Sequence, residues 1–255
     1  MRRMVTAEPG VQFKAMLPVE QTSRLMTLDA LRGVAILWMI AFHLCFDLNH
    51  FGLLHPPQQF LADPFWTGQR VCIVGLFMFC AGASQALAHR SGSSWARFWR
   101  RWMQVAGCAG LVSVATWFVF PQSWISFGVL HGLAAMVLLA RLTASLSPRL
   151  LWALGIGAMT LPHLIQHPVF DSRWLNGLGL VTQKPVTEDY APIFPWMGMV
   201  WLGLALGQRL SCLPLTPNPA IRMIALIGQW PLSIYMLHQP LFWGVLLLLS
   251  RLGLP

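Results

Sequence analysis

Charge is scarce in this chain. Asp, Glu, Lys and Arg make up 10% of its 255 residues, and only 8 of them are acidic, against roughly 25% charged residues in an ordinary soluble domain. Too few charges remain to cover a water-facing surface, which excludes a soluble globular enzyme. Tyrosine occurs only twice. The five cysteines, Cys45, Cys72, Cys80, Cys108 and Cys212, form no CxxC pair and mostly sit in apolar runs, so they read as packing residues rather than metal ligands or a disulfide framework. No zinc motif, phosphate-cradling glycine loop or nucleophile elbow is present. Apolar side chains, by contrast, reach 56%, with 13 tryptophans among them. That is the composition of a polytopic helical membrane protein.

A spanning helix needs about 20 mostly apolar residues, because the bilayer core has no water to satisfy a bare backbone. About seven such spans are predicted in an all-α transmembrane bundle. They run from Ala30 to Leu54, Val71 to Ala88, Trp102 to Phe120, Trp124 to Ala140, Leu150 to Ile165, Ala191 to Gly207, and within Ala220 to Leu249. The last stretch is too long for one span at about 1.5 Å per residue. Pro231 is therefore expected to divide it into a short leading helix and a spanning one, since proline suits a first helical turn.

The net charge of +9 and pI of about 10.4 suggest nucleic-acid binding only until the basic residues are sorted by side. Arg2, Arg3, Lys14, Arg24, Arg90, Arg97, Arg100, Arg101, Arg141, Arg149, Arg209 and Arg222 fall on one side of the predicted spans, against Arg173, Lys184 and Arg251 on the other. Cytoplasmic loops carry such an excess. The N-terminus is thus expected in the cytoplasm, with the lipid bilayer rather than a nucleic acid as partner. Residues 1–27 hold no apolar core of signal-peptide length and read as a cytoplasmic tail, leaving 28–255 as the transmembrane domain. The link from Gln166 to Tyr190, on the opposite side, is long enough to serve as a lid or as a plain connector.

Within the spans the ionisable residues ask for a reason, since each costs roughly 2.5 to 3.5 kcal/mol at the bilayer centre by insertion scales. The first helix carries three. Arg32 to His43 is eleven steps, a net rotation of about 20°, and Asp47 follows one turn later, so all three share a face. Arg32 and His43 are about 16 Å apart along the axis, one near the cytoplasmic surface and one beyond mid-membrane. A His43–Asp47 pair has the form of a carboxylate-oriented general base, and equally of two residues that satisfy each other in the bundle. Arg70 at the second span, His131 in the fourth, and Glu188, Asp189 and Tyr190 before the sixth lie at similar depth. His238, two residues ahead of Pro240, weighs evenly between site and structure, with Pro240 expected to loosen the helix around it. His163 beside Pro162 reads as packing.

Trp66, Trp102, Trp117, Trp124, Trp152 and Trp230 fall near span ends, as in an interfacial aromatic belt. Trp174 and Trp196 are instead candidates to stack on a sugar ring.

The opening Leu28-Asp29-Ala30-Leu31-Arg32-Gly33, with His43 beyond it, resembles the first-helix motif of the acyltransferase-3 superfamily. The stretches Asp189-Tyr190-Ala191-Pro192-Ile193-Phe194-Pro195-Trp196 and Gly228-Gln229-Trp230-Pro231-Leu232-Ser233-Ile234-Tyr235-Met236-Leu237-His238-Gln239-Pro240 resemble, more closely, the bacterial family related to heparan-alpha-glucosaminide N-acetyltransferase. The resemblance implies an inner-membrane acyltransferase with no permanently bound cofactor. It would move an acetyl or other acyl group from cytoplasmic acyl-CoA to a carbohydrate-type acceptor across the membrane. Under it, Arg32 and Arg70 serve the donor, His43 is the base, and Asp47 orients His43. Arg70 or His131 stabilises the oxyanion, and Asp189, Tyr190, Trp196 and His238 line the acceptor site. Before the second span, where the heparan enzyme places its active histidine, this chain reads Leu61-Ala62-Asp63-Pro64-Phe65-Trp66, so no residue carries over from there. The chain is also shorter than these relatives, as a reduced catalytic core, a homodimer or a non-enzymatic relative would be.

Two other classes share these residues. A proton-coupled transporter or flippase also uses intramembrane His, Asp and Arg. A haem protein would draw on His43, His131, His163 and His238, although no single span carries paired histidines at helical intervals.

Overall fold

The computed structural model describes residues 19–210 and 218–252. It is built from α1 (Val19–His50), α2 (Pro64–Arg90), α3 (Trp95–Val119), α4 (Val129–Leu142), α5 (Pro148–Leu164), α6 (Ile193–Leu210), α7 (Pro219–Gly228) and α8 (Pro231–Arg251). Two short 3₁₀ turns, Pro168–Asp171 and Asn176–Leu178, lie between α5 and α6, and no strand occurs among the described residues. Cys212 and the tail up to residue 18 lie outside the described residues.

Local chemistry sets most of the boundaries. Ser94 and Ser147 cap α3 and α5 by accepting the backbone N–H groups of Arg97 and Leu150, and Asp63 does the same for α2 through Phe65, which satisfies donors a helix start leaves open. α7 stops at Gly228 and α8 begins at Pro231, the division expected from the proline. Several boundaries differ from the sequence expectation, among them the end of α1 at His50 rather than Leu54 and the start of α2 at Pro64 rather than Val71. α1 is helical from Val19, since no Gly or Pro interrupts residues 19–32. α3 starts at Trp95 rather than Trp102, because Ser94 caps it there. α4 starts at Val129 rather than Trp124, because residues 120–128 form a turn in which Ile125 N–H donates to Thr116 Oγ1 and Val129 N–H to Asp189.

Among the described residues, four helices are long and apolar enough to cross a membrane: Met26–His50 within α1, then α2, α3 and α8. Val129–Leu142, Ile193–Gly207 and Pro219–Gly228 are shorter apolar helices. Pro240 sits inside α8, which continues helical across it.

The largest core joins α2, α4, α5 and α6 around Met78, Met136, Met197, Val200 and Leu204. Its helices meet through small residues. A Cβ on Gly82 would overlap the Val200 carbonyl, one on Gly203 the Phe79 carbonyl, and one on Gly198 the Met159 side chain. Without a hydrophobic drive between helices in lipid, such close backbone approach supplies the packing. A second core, with Phe42, Phe60, Met39 and Ile73 at its centre, closes the end of the bundle where α1 finishes. There the 51–63 link folds back through Asn49, which donates to the Gln58 carbonyl and accepts the Gln58 N–H.

α7 lies on α1 by the same device. Added Cβ atoms on Gly33 and Gly228 would overlap the carbonyl groups of Ile224 and Asp29 respectively. We expect Gly228→Ala to cost about 1 to 3 kcal/mol of stability by overpacking. Gly107→Ala on α3, where a Cβ meets nothing within 4 Å, should be neutral or gain up to about 1 kcal/mol from helix propensity. Thermal unfolding of the two variants in detergent checks the contrast.

Candidate functional site: a histidine pair between α1 and α8

α1 and α8 run side by side in the same direction, so that residues at matching depth meet. Near one end of the bundle, Arg32 Nη1 bonds Asp29 Oδ1 at 2.5 Å and reaches the Gly228 carbonyl at 3.5 Å, while Nη2 donates to Ser84 Oγ at 2.9 Å. The guanidinium therefore ties α1 to α2 and α7, with its charge balanced by Asp29. Farther along, His43 Nδ1 lies 2.7 Å from His238 Nε2. The ring planes are 16° apart and the centroids 4.9 Å apart, so the rings meet edge to edge along the N···N line.

The hydrogen bonds decide the tautomers. His238 Nδ1 lies 2.8 Å from the Tyr235 carbonyl and 3.2 Å from that of Ile234. A carbonyl only accepts, so His238 Nδ1 carries the proton. In the neutral ring Nε2 is then an acceptor, and His43 Nδ1 must donate to it. The remaining nitrogen, His43 Nε2, is left with a free lone pair. A base oriented by a hydrogen bond to its other ring nitrogen is the arrangement that fixes a histidine for proton transfer. The separation of 2.7 Å also leaves no room for an iron between these two nitrogens, since each metal–nitrogen bond takes about 2 Å.

Asp47 does not pair with His43. It is fully buried, and its Oδ1 accepts the Trp243 indole N–H at 3.1 Å. Oδ2 and the neighbouring Gln239 Oε1 are both buried without a partner. Gln239 and Trp243 lie one helical turn apart on α8, a spacing visible in the sequence. Arg32, His43 and Asp47 nevertheless all reach toward the α7–α8 segment.

The other candidates lie apart from this pair. His131 is spent locally. Its Nδ1 accepts the Gly128 N–H at 3.3 Å, so Nε2 carries the proton and donates to Ser113 Oγ at 3.1 Å, and Ser113 donates on to the Ile125 carbonyl. Asp189, in the link before α6, accepts Val129 N–H at 2.7 Å at the start of α4, with the Tyr235 hydroxyl at 3.4 Å. Burial raises its carboxyl above the usual carboxylate range, opposed by the Val129 and Tyr235 bonds and by the Arg70 charge. Tyr235 is edge-on to His238 at 5.9 Å, which links Asp189 to the histidine pair through one residue. The Tyr190 hydroxyl donates to the Asn176 carbonyl, and burial pushes it up to about 12. Trp196 packs against Gly75 of α2 and the main core. Trp174 is 94% exposed.

Taken together, the apolar helices and the buried polar centre define an all-α integral membrane protein with paired histidines between its first and last spanning helices. The model of the heparan-alpha-glucosaminide N-acetyltransferase catalytic family matches residues 24–240. The chain belongs to that family, one of transmembrane acetyltransferases, and the matched stretch contains both His43 and His238. No curated protein and no solved structure matches the chain.

The raised carboxyl of Asp189 gives a sign that can be measured. A folded-state value above the unfolded one, 3.8, means the folded protein binds the proton more tightly. The stabilising contribution is therefore present below pH 3.8 and is lost as pH rises through the folded value. Asp189→Asn keeps an acceptor for Val129 N–H but does not titrate. Wild type should lose melting temperature relative to this variant as pH is raised above 3.8, and a difference independent of pH would contradict the burial argument.

Proposed function

We propose that the protein transfers an acyl group, acetyl in the first instance, from acyl-CoA to a hydroxyl or amine of a carbohydrate-type acceptor, with His43 as general base. The free lone pair on His43 Nε2, left by the ordered His43–His238–Tyr235 hydrogen bonds, carries this reading. Family membership supports acetyl transfer. The lopsided distribution of Lys and Arg supports a cytoplasmic N-terminus, with the donor arriving at the Arg32 end and the acceptor at the opposite end. The remaining apolar helices, α4 to α6, would complete a seven-span bundle in a bacterial inner membrane, and the first-helix motif is consistent with a wider kinship to the acyltransferase-3 superfamily.

In this mechanism His43 Nε2 takes the proton of the acceptor as its oxygen or nitrogen attacks the thioester carbonyl. The carbon–sulfur bond then breaks, and the departing thiolate recovers the proton from His43. His238 receives the His43 Nδ1 hydrogen bond throughout and shares the positive charge that His43 gains. Arg70, whose charge faces Asp189 and Lys184, is the candidate for the oxyanion. His131 has both nitrogens engaged and serves α4. Arg32, already bridged to Asp29, Ser84 and Gly228, holds the donor end in shape. Asp189 and Tyr235 line the acceptor side, with Tyr190 and Trp196 supporting the wall behind them.

The test is transfer of label from acetyl-CoA supplied to one face of reconstituted vesicles. His43→Ala should lower transfer by about 10² to 10⁴ while the protein still folds, the usual contribution of a general base. His238→Ala should slow transfer by less and shift the pH–rate profile, because the partner that shares the charge is gone. Wild-type transfer by His43→Ala overturns the mechanism. Uptake of a small solute with no thioester consumption would replace it with a proton-coupled transporter.

A further inference from the structure

Three arginines crowd the start of α3. Arg97, Arg100 and Arg101 are all exposed, and among the described residues their side chains make no hydrogen bond or ion pair; the ion pair at this end, Arg32 with Asp29, uses none of them. Residues three and four apart on a helix are neighbours, so Arg97 adjoins both of the others, and like charges at that spacing repel. No acid lies close along the chain. Asp and Glu are absent between Asp63 and Asp171, so neither α3 nor its neighbour α4 carries one. Asp29, which feels the Arg101 charge, is already bonded by Arg32.

The patch stands on a fixed base. Arg141 of α4 lays its guanidinium over the Trp95 ring at 5.3 Å and donates to the Ser93 carbonyl, and Trp102 donates to the Ala134 carbonyl at 2.9 Å. These contacts hold the first turns of α3 to α4. Phe98 and Ala109 mark the buried face of α3, and at 100° per residue Arg97 and Arg100 lie about 100° or more away from it. Trp95 and Trp99 are exposed beside them, as indole rings are at headgroup depth. Farther along, the exposed side of α3 is apolar, with Met103, Leu111, Val114 and Phe118 on it. Arg100 and Leu111 share a face about 16 Å apart, close to one leaflet, or half of a hydrocarbon core about 30 Å thick.

We propose that this face of α3 binds an anionic phospholipid, its phosphodiester on Arg97 and Arg100 and an acyl chain along the helix past Met103 to Leu111. Charge complementarity selects the occupant. A guanidinium pairs two of its N–H groups with two phosphate oxygens, and the diester supplies the negative charge that these cations lack within the protein. A second copy of the chain is the competing occupant, since Gly107 and Gly110 leave α3 open, with nothing within 4 Å of an added Cβ. A two-fold pair, however, sets each residue of the contact close to its own counterpart. Both sets of arginines would then meet with no acid between them, so a second copy adds to the repulsion that an anionic lipid removes. The site is separate from the His43–His238 pair and does not rest on acyl transfer.

Native mass spectrometry of the full-length chain released from detergent, titrated with dioleoylphosphatidylglycerol or dioleoylphosphatidylcholine, tests this. Phosphatidylglycerol should bind at least about tenfold more tightly. Each basic residue near an anionic headgroup is worth about fivefold in affinity, so Arg97→Gln combined with Arg100→Gln should weaken phosphatidylglycerol about 25-fold and leave phosphatidylcholine unchanged. Arg97→Lys combined with Arg100→Lys keeps the charge and should restore most of that loss. Arg149→Gln on α5 should change nothing; a loss of about fivefold there would mean diffuse attraction to a basic surface and overturns the proposal. Equal affinity for the two lipids also overturns it, as does a two-chain mass abolished by Gly107→Leu, which would give the face to a second copy.

Discussion

The close approach of α7 to α1 at Gly33 and Gly228 governs the rest of the candidate site. Only Gln229 and Trp230 separate α7 from α8, so wherever Gly228 is held, the start of α8 is held too. From Gly228 to His238 is ten residues, and from Arg32 to His43 eleven. At about 1.5 Å per residue the two rises nearly match, and two helices running the same way bring Arg32 to the Gly228 carbonyl and His43 to His238. A side chain larger than hydrogen at either glycine pushes the helices apart, and every contact downstream depends on that spacing.

A bilayer core offers no water to a stranded polar atom, so partners must come from the protein. Most of the buried polar groups meet this requirement in plain structural ways. Arg32 is neutralised by Asp29, His131 caps α4 and bonds Ser113, and Trp102 donates to the Ala134 carbonyl. Among the described residues the departures are few. His43 Nε2 keeps the lone pair that its tautomer leaves, and Asp47 Oδ2 and Gln239 Oε1 are buried without a partner. Trp124 and Asn176 hold unmet groups in the nearby links. Gln85 Oε1, beside the Ser84 that Arg32 bonds, is unmet as well, so unmet polarity occurs at both ends of the bundle.

The links at the end opposite Arg32 are built rather than loose. Ser123 and Glu188 bond through both backbone and side chain, Thr187 donates to the Trp124 carbonyl, and Gly179 takes a left-handed φ of 87° where a Cβ would overlap the Phe194 carbonyl. The 120–128 turn and the 168–187 stretch therefore act as one rigid cover beside α4 and α6. An ordered cover of this kind shapes a cavity, and it also excludes water from the polar groups beneath it.

Much of this was legible in the residues in order. Apolar run length marked seven stretches, of which four form helices long and apolar enough to span; Pro231 marked the break between α7 and α8, and the rotation of 100° per residue put Arg32, His43 and Asp47 on a common side of α1. These are properties of one helix, and local rules decide them. Partnership is a property of two helices, and local rules do not reach it. Asp47 sits one turn from His43, yet Trp243, 196 positions away, takes its carboxylate. His238, even-handed between site and structure in the sequence, becomes the acceptor that orients His43. The helix ends misjudged from hydropathy, at Val19, Trp95 and Val129, were set by an uninterrupted helical stretch, a serine cap and a carboxylate brought in from the link before α6. Sequence alone determined which side chains are costly to bury. Only the tertiary structure decided which of them satisfy one another, because backbone approach at glycines, rather than spacing along the chain, selects the neighbour.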